Sequence, residues 1–256
     1  MELRAAGREK VLELIGRLGY RLGHKMLPIT PAECDAETAA IISRVQPFTL
    51  TSSERIMVLR DAVRYLTRAG VPGSIVECGV GRGGSMLAAA LALLELDATD
   101  RELHLYDTFT GQPPPGPRDE LPEQMRKLAP EFEAGAGDGT GAEVAMAEVR
   151  DLIAGAGYPA ERIHLHPGMV EETIPAEAPE TIALLRLDTD WYESTAHELN
   201  HLYPRISAGG VLLVDDYGLL PGARRAVDEY LAADGRDQVM LTRIDESARL
   251  AVIPRA

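Results

Sequence analysis

The stretch Val76-Glu77-Cys78-Gly79-Val80-Gly81-Arg82-Gly83-Gly84-Ser85 joins an apolar run, Ser74 to Val76, to the apolar helical pattern of Met86 to Leu96. That order reads as strand, tight turn, helix. Its glycines adopt positive φ without steric cost and let a ligand approach the backbone, and the free N–H groups opening the helix favour polar or anionic ligand atoms. The turn describes a nucleotide-type pocket at the end of a strand.

Gly79-x-Gly81-x-x-Gly84 has the spacing of the dinucleotide fingerprint, which leaves open which nucleotide binds. Glu77 is more informative. A carboxylate beside the ligand is unfavourable near a pyrophosphate and favourable near an ammonium or sulfonium, and S-adenosylmethionine carries both cations and no phosphate. Glu77, Gly79, Gly81, Gly83 and Ser85 are therefore candidate cofactor contacts, with a plain glycine turn and a solvated Glu as the alternative. Glu102 to Tyr106 is a second strand ending in Asp107, whose carboxylate suits the two ribose hydroxyls.

Before the turn, Val11, Leu12, Leu14, Ile15, Leu18 and Leu22 recur at helical spacing, Ala32 to Val45 reads as a second helix, and Thr51-Ser52-Ser53-Glu54 offers an N-cap. Ile56, Leu59, Val63 and Leu66 make one face of the helix that follows. Residues 1–50 form a helical cap or oligomerisation segment, and residues 51–256 a single catalytic domain. Thr108 to Gly141 is rich in Pro and Gly and reads as a lid over the pocket or as a solvated linker. Glu143 to Ala156 returns to helix. Ile163 to His166 is a strand, after which Gly168 and Met169 are placed to flank an adenine. Thr181 to Leu187, Gly210 to Val214, Gln238 to Thr242 and Arg249 to Ile253 complete the strands; Glu193 to Tyr203 and Pro221 to Leu231 are helices. Strands alternating with helices predict an α/β fold with a mostly parallel sheet whose ligands sit beyond the carboxyl strand ends.

At two of those ends the chain concentrates acids: Asp188 and Asp190 in Leu187-Asp188-Thr189-Asp190-Trp191-Tyr192, and Asp215-Asp216 before Tyr217. Carboxylates converging on one crevice repel and raise one another's pKa unless a cation sits among them. Hard oxygen ligands without Cys or His suit Mg²⁺. A single strand-end Asp also serves as a helix N-cap, the role open to Asp190 ahead of the helix at Glu193. That leaves Asp188, Asp215 and Asp216 as the metal set.

A formal net charge of −14 lacks the basic face that nucleic acid or an anionic membrane requires, so the expected partner is a small molecule. No apolar run reaches the ~20 residues that span a bilayer, and no continuous signal-like apolar segment follows the N-terminal charges, which makes the cytoplasm the default expectation. Cys34 and Cys78 read as buried free thiols.

With these pieces placed, the chain from about Thr51 onward resembles the macrocin O-methyltransferase (TylF) family of class I S-adenosylmethionine-dependent methyltransferases, which methylate sugar hydroxyls of bacterial natural products. The carriers are Thr51 to Arg55, Val76 to Val80 with Arg82 to Ser85, Asp107-Thr108-Phe109-x-Gly111, Asp188-x-Asp190-x-Tyr192 and Val214 to Tyr217. The resemblance implies a Rossmann-like class I methyltransferase fold with a seven-stranded sheet, and Mg²⁺ on Asp188, Asp215 and Asp216. It also implies cofactor contacts at Glu77, the glycine turn and Asp107, and an oligomer, commonly a dimer. Gly81 stands where an aromatic is usual in the family and Thr110 where an acid is usual.

Catechol-type relatives carry a lysine base where this chain has Trp191, which favours a sugar or other alcohol as acceptor. Asp188 is the candidate metal ligand and proton acceptor together, and Asp190 the second candidate base. His197 and His201 are read as surface or core residues. Acids such as Asp35, Glu37 and Glu143 are open to sugar contacts or to solvent. A non-sugar hydroxyl acceptor, a nicotinamide dehydrogenase and a non-catalytic cofactor-binding scaffold are the alternatives.

Overall fold

The structure is a computed structural model and describes residues 33–121, 146–233 and 239–254. The helix expected around Val11 to Leu22, the distal lid and Glu143 lie outside the described residues. Helix α1 (Ala36–Val45) opens on Asp35, whose carboxylate accepts from Thr38 N at 2.7 Å. Asp35 and Glu37 also pair with the buried Arg60 while their side chains stay exposed.

Helix α2 (Ser53–Arg68) is capped by Ser52, whose hydroxyl accepts from Arg55 N at 3.2 Å. Its predicted face, Ile56, Leu59, Val63 and Leu66, is buried against the sheet. Each such aliphatic side chain contributes about 1.5–3 kcal/mol by leaving water, so this face is what fixes α2, and with it Arg55, over the strand ends.

The strands are β1 (Ser74–Cys78), β2 (Leu103–Asp107), β3 (Ile163–Pro167), β4 (Ile182–Leu187), β5 (Ile206–Val214), β6 (Thr242–Arg243) and β7 (Arg249–Val252). They form one seven-stranded sheet in the order β3-β2-β1-β4-β5-β7-β6. The first five are parallel, while β7 runs antiparallel to β5 and β6 antiparallel to β7. After β1 the chain builds outward through β2 and β3, then returns to β4 on the other side of β1. That reversal puts the topological switch point, and the crevice it opens, beyond the ends of β1 and β4.

Helices α3 (Gly84–Glu95) and α4 (Met146–Gly155) pack with α1 and α2 into one apolar layer. The short α5 (Val170–Thr173), α6 (Tyr192–Leu202) and α7 (Pro221–Leu231) pack on the opposite face. α3 is apolar nearly all round and buried from Gly84 to Leu93, so it forms a wall of the core rather than a surface helix.

Three expectations are corrected. Among the described residues of the Gln238–Thr242 segment only Thr242 is a strand residue, because Val239 and Leu241 pack against the core without entering a ladder. β5 starts at Ile206, ahead of the Gly209-Gly210 pair, since Gly209 N and Ile253 N close the ladder with β7's flank. Cys78 is buried as expected, whereas Cys34 is half-buried.

Candidate active site

At the end of β1 the chain turns so sharply that a Cβ on Gly79, which sits at φ 84°, would lie 2.0 Å from the Asp188 carbonyl oxygen. Only glycine permits that approach, and it brings the turn against the end of β4. Gly81 and Gly83 also have positive φ, and Gly83 is the left-handed N-cap of α3. Ser85 is buried, its hydroxyl 3.4 Å from that of Thr51.

Asp107 closes this half of the site. Its Oδ2 accepts from Val80 N at 2.8 Å and Gly81 N at 2.9 Å, and its Oδ1 from Phe109 N at 2.8 Å. The carboxylate expected to receive ribose thus also holds the glycine turn, leaving part of its acceptor capacity for a ligand. Gly168 N donates to the Asp107 carbonyl at 3.0 Å, and Met169 follows as the N-cap of α5. The structure therefore gathers Gly79, Gly81, Asp107 and Gly168 at one edge.

The acids gather next to it. Asp188 N donates to Cys78 O and Asp215 N to Leu187 O, so the ends of β1, β4 and β5 are tied side by side. Asp188, Asp215 and Asp216 each offer a carboxylate oxygen within 4.8 Å of the others. Among them lies a cation that the reading of the sequence did not place, Arg186. Its Nη1 donates to Glu77 Oε1 and Asp188 Oδ2, both at 2.6 Å, and its Nη2 to Asp215 Oδ1 at 2.6 Å and Thr51 Oγ1 at 3.2 Å. Arg55 joins the other side: its Nη1 donates to Asp215 Oδ2 and its Nε to Asp245 Oδ2 at 2.6 Å. The signal for Arg186 was an arginine inside the apolar run Ile182 to Leu187, two residues before Asp188 and so on the same face of the strand.

Glu77 is only 1% exposed. Burial pushes its carboxyl up to about 7, against the opposing pull of Arg186. It lies beneath the turn with Oε1 on Arg186, and Oε2 has no hydrogen-bond partner among the described residues. Burial, reinforced by the neighbouring carboxylates, also raises Asp188 and Asp216 well above the usual carboxylate range; Arg186 opposes this at Asp188 and Arg55 at Asp216. Asp216 Oδ2 is buried without a hydrogen-bond partner among the described residues. Among the described residues five carboxylates (Glu77, Asp188, Asp215, Asp216 and Asp245) share two guanidinium groups. That imbalance, the orphaned Asp216 oxygen and the all-oxygen donor set fit a hard divalent cation.

Asp190 does not cap α6, as it was open to do. Its backbone is left-handed at φ 72°, its Oδ2 accepts from Gln112 Nε2, and it lies against Asp216. The cap comes from the root of the lid instead: Asp119 Oδ1 accepts from Tyr192 N at 2.8 Å. Nearby, Trp191 Nε1 donates to Pro113 O at 2.8 Å, and Arg118 grips Glu193 with two bonds of 2.9 Å. Segment 112–121 is thereby seated on the start of α6 beside the acids. His197 donates to Ile174 O at 2.9 Å and packs against the tilted ring of His201, a packing role.

The sequence profile described as macrocin-O-methyltransferase (TylF) matches residues 29–250. The chain is 34% identical over 184 residues to demethyldecarbamoylnovobiocin O-methyltransferase of Streptomyces niveus, covering 72% of this chain and 68% of that one. It is 30% identical over 229 residues to 8-demethyl-8-(2,3-dimethoxy-alpha-L-rhamnosyl)-tetracenomycin-C 4'-O-methyltransferase of Streptomyces olivaceus, covering 87% and 85%. The solved structure of the O-methyltransferase NovP superposes with a TM-score of 0.71 at 29% identity, covering 96% of this chain and 99% of that one. A glycine turn facing a strand-end acid cluster, on this sheet order and with these relatives, places the chain in the macrocin-O-methyltransferase (TylF) family of O-methyltransferases.

Proposed function

We propose that the protein transfers the methyl group of S-adenosylmethionine to a sugar hydroxyl of a glycosylated bacterial natural product, in a reaction that depends on Mg²⁺. The observation that carries this reading is the Asp188, Asp215 and Asp216 cluster lying directly beside the glycine turn, with Trp191 where a lysine base would stand. The rhamnosyl group in the name of the Streptomyces olivaceus relative supports a sugar acceptor.

When bound, the cofactor supplies an electrophilic methyl group and the metal supplies Lewis acidity to the acceptor hydroxyls. The chain's own residues do the rest. Gly79, Gly81, Gly83 and Ser85 would shape the floor under the cofactor, Asp107 and Gly168 with Met169 would flank its nucleoside end, and Glu77, paired with Arg186 beneath the turn, would support that floor. Asp188, Asp215 and Asp216 would hold the metal. Asp188, the ligand placed beside the glycine turn through its backbone bond to Cys78 O, is the group that would accept the hydroxyl proton. Asp190, oriented by Gln112, is the second group able to accept it. The lid root, fixed by Trp191 and Asp119, excludes water from one side. The family resemblance extends the reading to a homodimer; the small-molecule acceptor and a cytoplasmic setting carry over from the sequence as expectations.

The test incubates the protein with S-adenosylmethionine, Mg²⁺ and a panel of glycosylated macrolides, aminocoumarins and nucleosides, with and without EDTA. The expected product gains one methyl group on a sugar oxygen, and the gain disappears with EDTA and returns with added Mg²⁺. Methylation of an aglycone hydroxyl, or turnover indifferent to EDTA, would contradict the reading.

A further inference from the structure

Mg²⁺ and Ca²⁺ differ in what they ask of carboxylates. Mg²⁺ takes six oxygens in a tight octahedron at about 2.0–2.1 Å, whereas Ca²⁺ takes six to eight at about 2.3–2.6 Å and often grips a carboxylate by both oxygens. On two of the three carboxylates, Asp188 and Asp215, oxygens are already committed to arginine. Asp188 Oδ2 receives Arg186 Nη1 and Asp215 Oδ1 receives Arg186 Nη2, each at 2.6 Å, while Asp215 Oδ2 receives Arg55. Turning both oxygens of Asp188 or Asp215 to an ion would break a charge-assisted bond to a guanidinium that is 4% exposed and has little access to replacement water.

The guanidinium cannot easily swing aside. Glu77 Oε1 at 2.6 Å and Thr51 Oγ1 at 3.2 Å hold it from the cofactor half. Asp188 Oδ1 and the unpartnered Asp216 Oδ2 are left over, while Asp215, whose two oxygens take Arg186 and Arg55, keeps only residual lone pairs. One oxygen from each carboxylate would suit an ion that completes its shell with water or acceptor hydroxyls.

We infer that Arg186 sets the metal selectivity of the site: by occupying one oxygen each of Asp188 and Asp215 it enforces monodentate ligation and disfavours Ca²⁺ relative to Mg²⁺. Arg186 is a positioning residue, since it acts through the carboxylates. The inference rests on the metal-dependent reading above, and binding without turnover separates the two.

The metal-stripped full chain is titrated calorimetrically with MgCl₂ and with CaCl₂, with no cofactor or acceptor present, as wild type, Arg186→Lys and the charge-balanced Glu77→Gln/Arg186→Met. Lysine keeps the charge but not the fork. The double substitution keeps the local charge balance by removing the buried Glu77 carboxylate together with its arginine. The expected result is a shift of the Mg²⁺-to-Ca²⁺ affinity ratio toward Ca²⁺ by about tenfold or more in both variants, the scale on which groups behind metal ligands act. An unchanged ratio, or an equal weakening of both ions, in either variant that retains a cooperative melt overturns the inference while the metal reading stands. Binding of neither ion by wild type overturns both.

Discussion

Asp188→Asn is expected to lower kcat by about 10³-fold at saturating Mg²⁺, with the KM for S-adenosylmethionine within threefold of wild type. The substitution is nearly isosteric. The Asn carbonyl oxygen still accepts from Arg186 Nη1, and Asp188 N keeps its bond to Cys78 O, so the glycine turn and Asp107 stay in place. What would go is the negative charge offered to the proposed metal and the proposed acceptor of the hydroxyl proton. Loss of general-base function alone is worth about 10²–10⁴ in rate, and the weakened metal site adds to it. Turnover within threefold of wild type, measured from initial rates by mass spectrometry, would remove Asp188 from both roles and shift the proton to Asp190.

The second large effect lies outside the chemistry. Glu198 on α6 is 0% exposed, its Oε1 accepts from Thr189 Oγ1 at 2.9 Å, and Oε2 has no hydrogen-bond partner among the described residues. Burial, chiefly, raises its carboxyl to about 8, with Glu171 adding to the shift. The folded protein therefore keeps this proton while the unfolded chain releases it near the ordinary carboxylate pKa of about 4.3. Below that value both states are protonated and the group is neutral to stability. As pH rises toward 8 the folded state loses about 1.4 kcal/mol per unit relative to the unfolded one. Glu198→Gln does not titrate and still offers an oxygen to Thr189. Its melting temperature, relative to wild type, is expected to be about 5 °C or more higher at pH 8 than at pH 5, on the order of 3 kcal/mol recovered. Equal differences at the two pH values in a thermal melt would show that Glu198 is ionised in the fold.

Local patterns carried most of the architecture. The glycine turn, the buried face of α2 and the runs of β1, β2 and β4 announce themselves within a few residues, because their periodicity and turn chemistry are local. The acid cluster was legible for a related reason: parallel strand ends converge, so Asp188 and Asp215-Asp216 needed only the strand assignments to be brought together. What escaped depends on partners distant in sequence. Arg186 finds Glu77 on β1 and Asp215 on β5, and a charged residue in a central strand is explained only once those neighbours are known. Asp119 caps α6 from the lid root, a contact that no spacing rule predicts, and so Asp190 was left open to a role it does not have. Val239 and Leu241 look like strand residues because they are apolar, but they fill the end of the core without pairing.

On the proposed reading one crevice holds the cofactor on the glycine turn and a divalent ion on Asp188, Asp215 and Asp216. A crystal grown with Mn²⁺ and S-adenosylhomocysteine, recorded for anomalous scattering, decides it. One anomalous peak is expected, bonded to a single oxygen from each of the three aspartates, with the homocysteine sulfur at the turn facing it. A peak bonded elsewhere, or an occupied turn with no metal between those carboxylates, would contradict it.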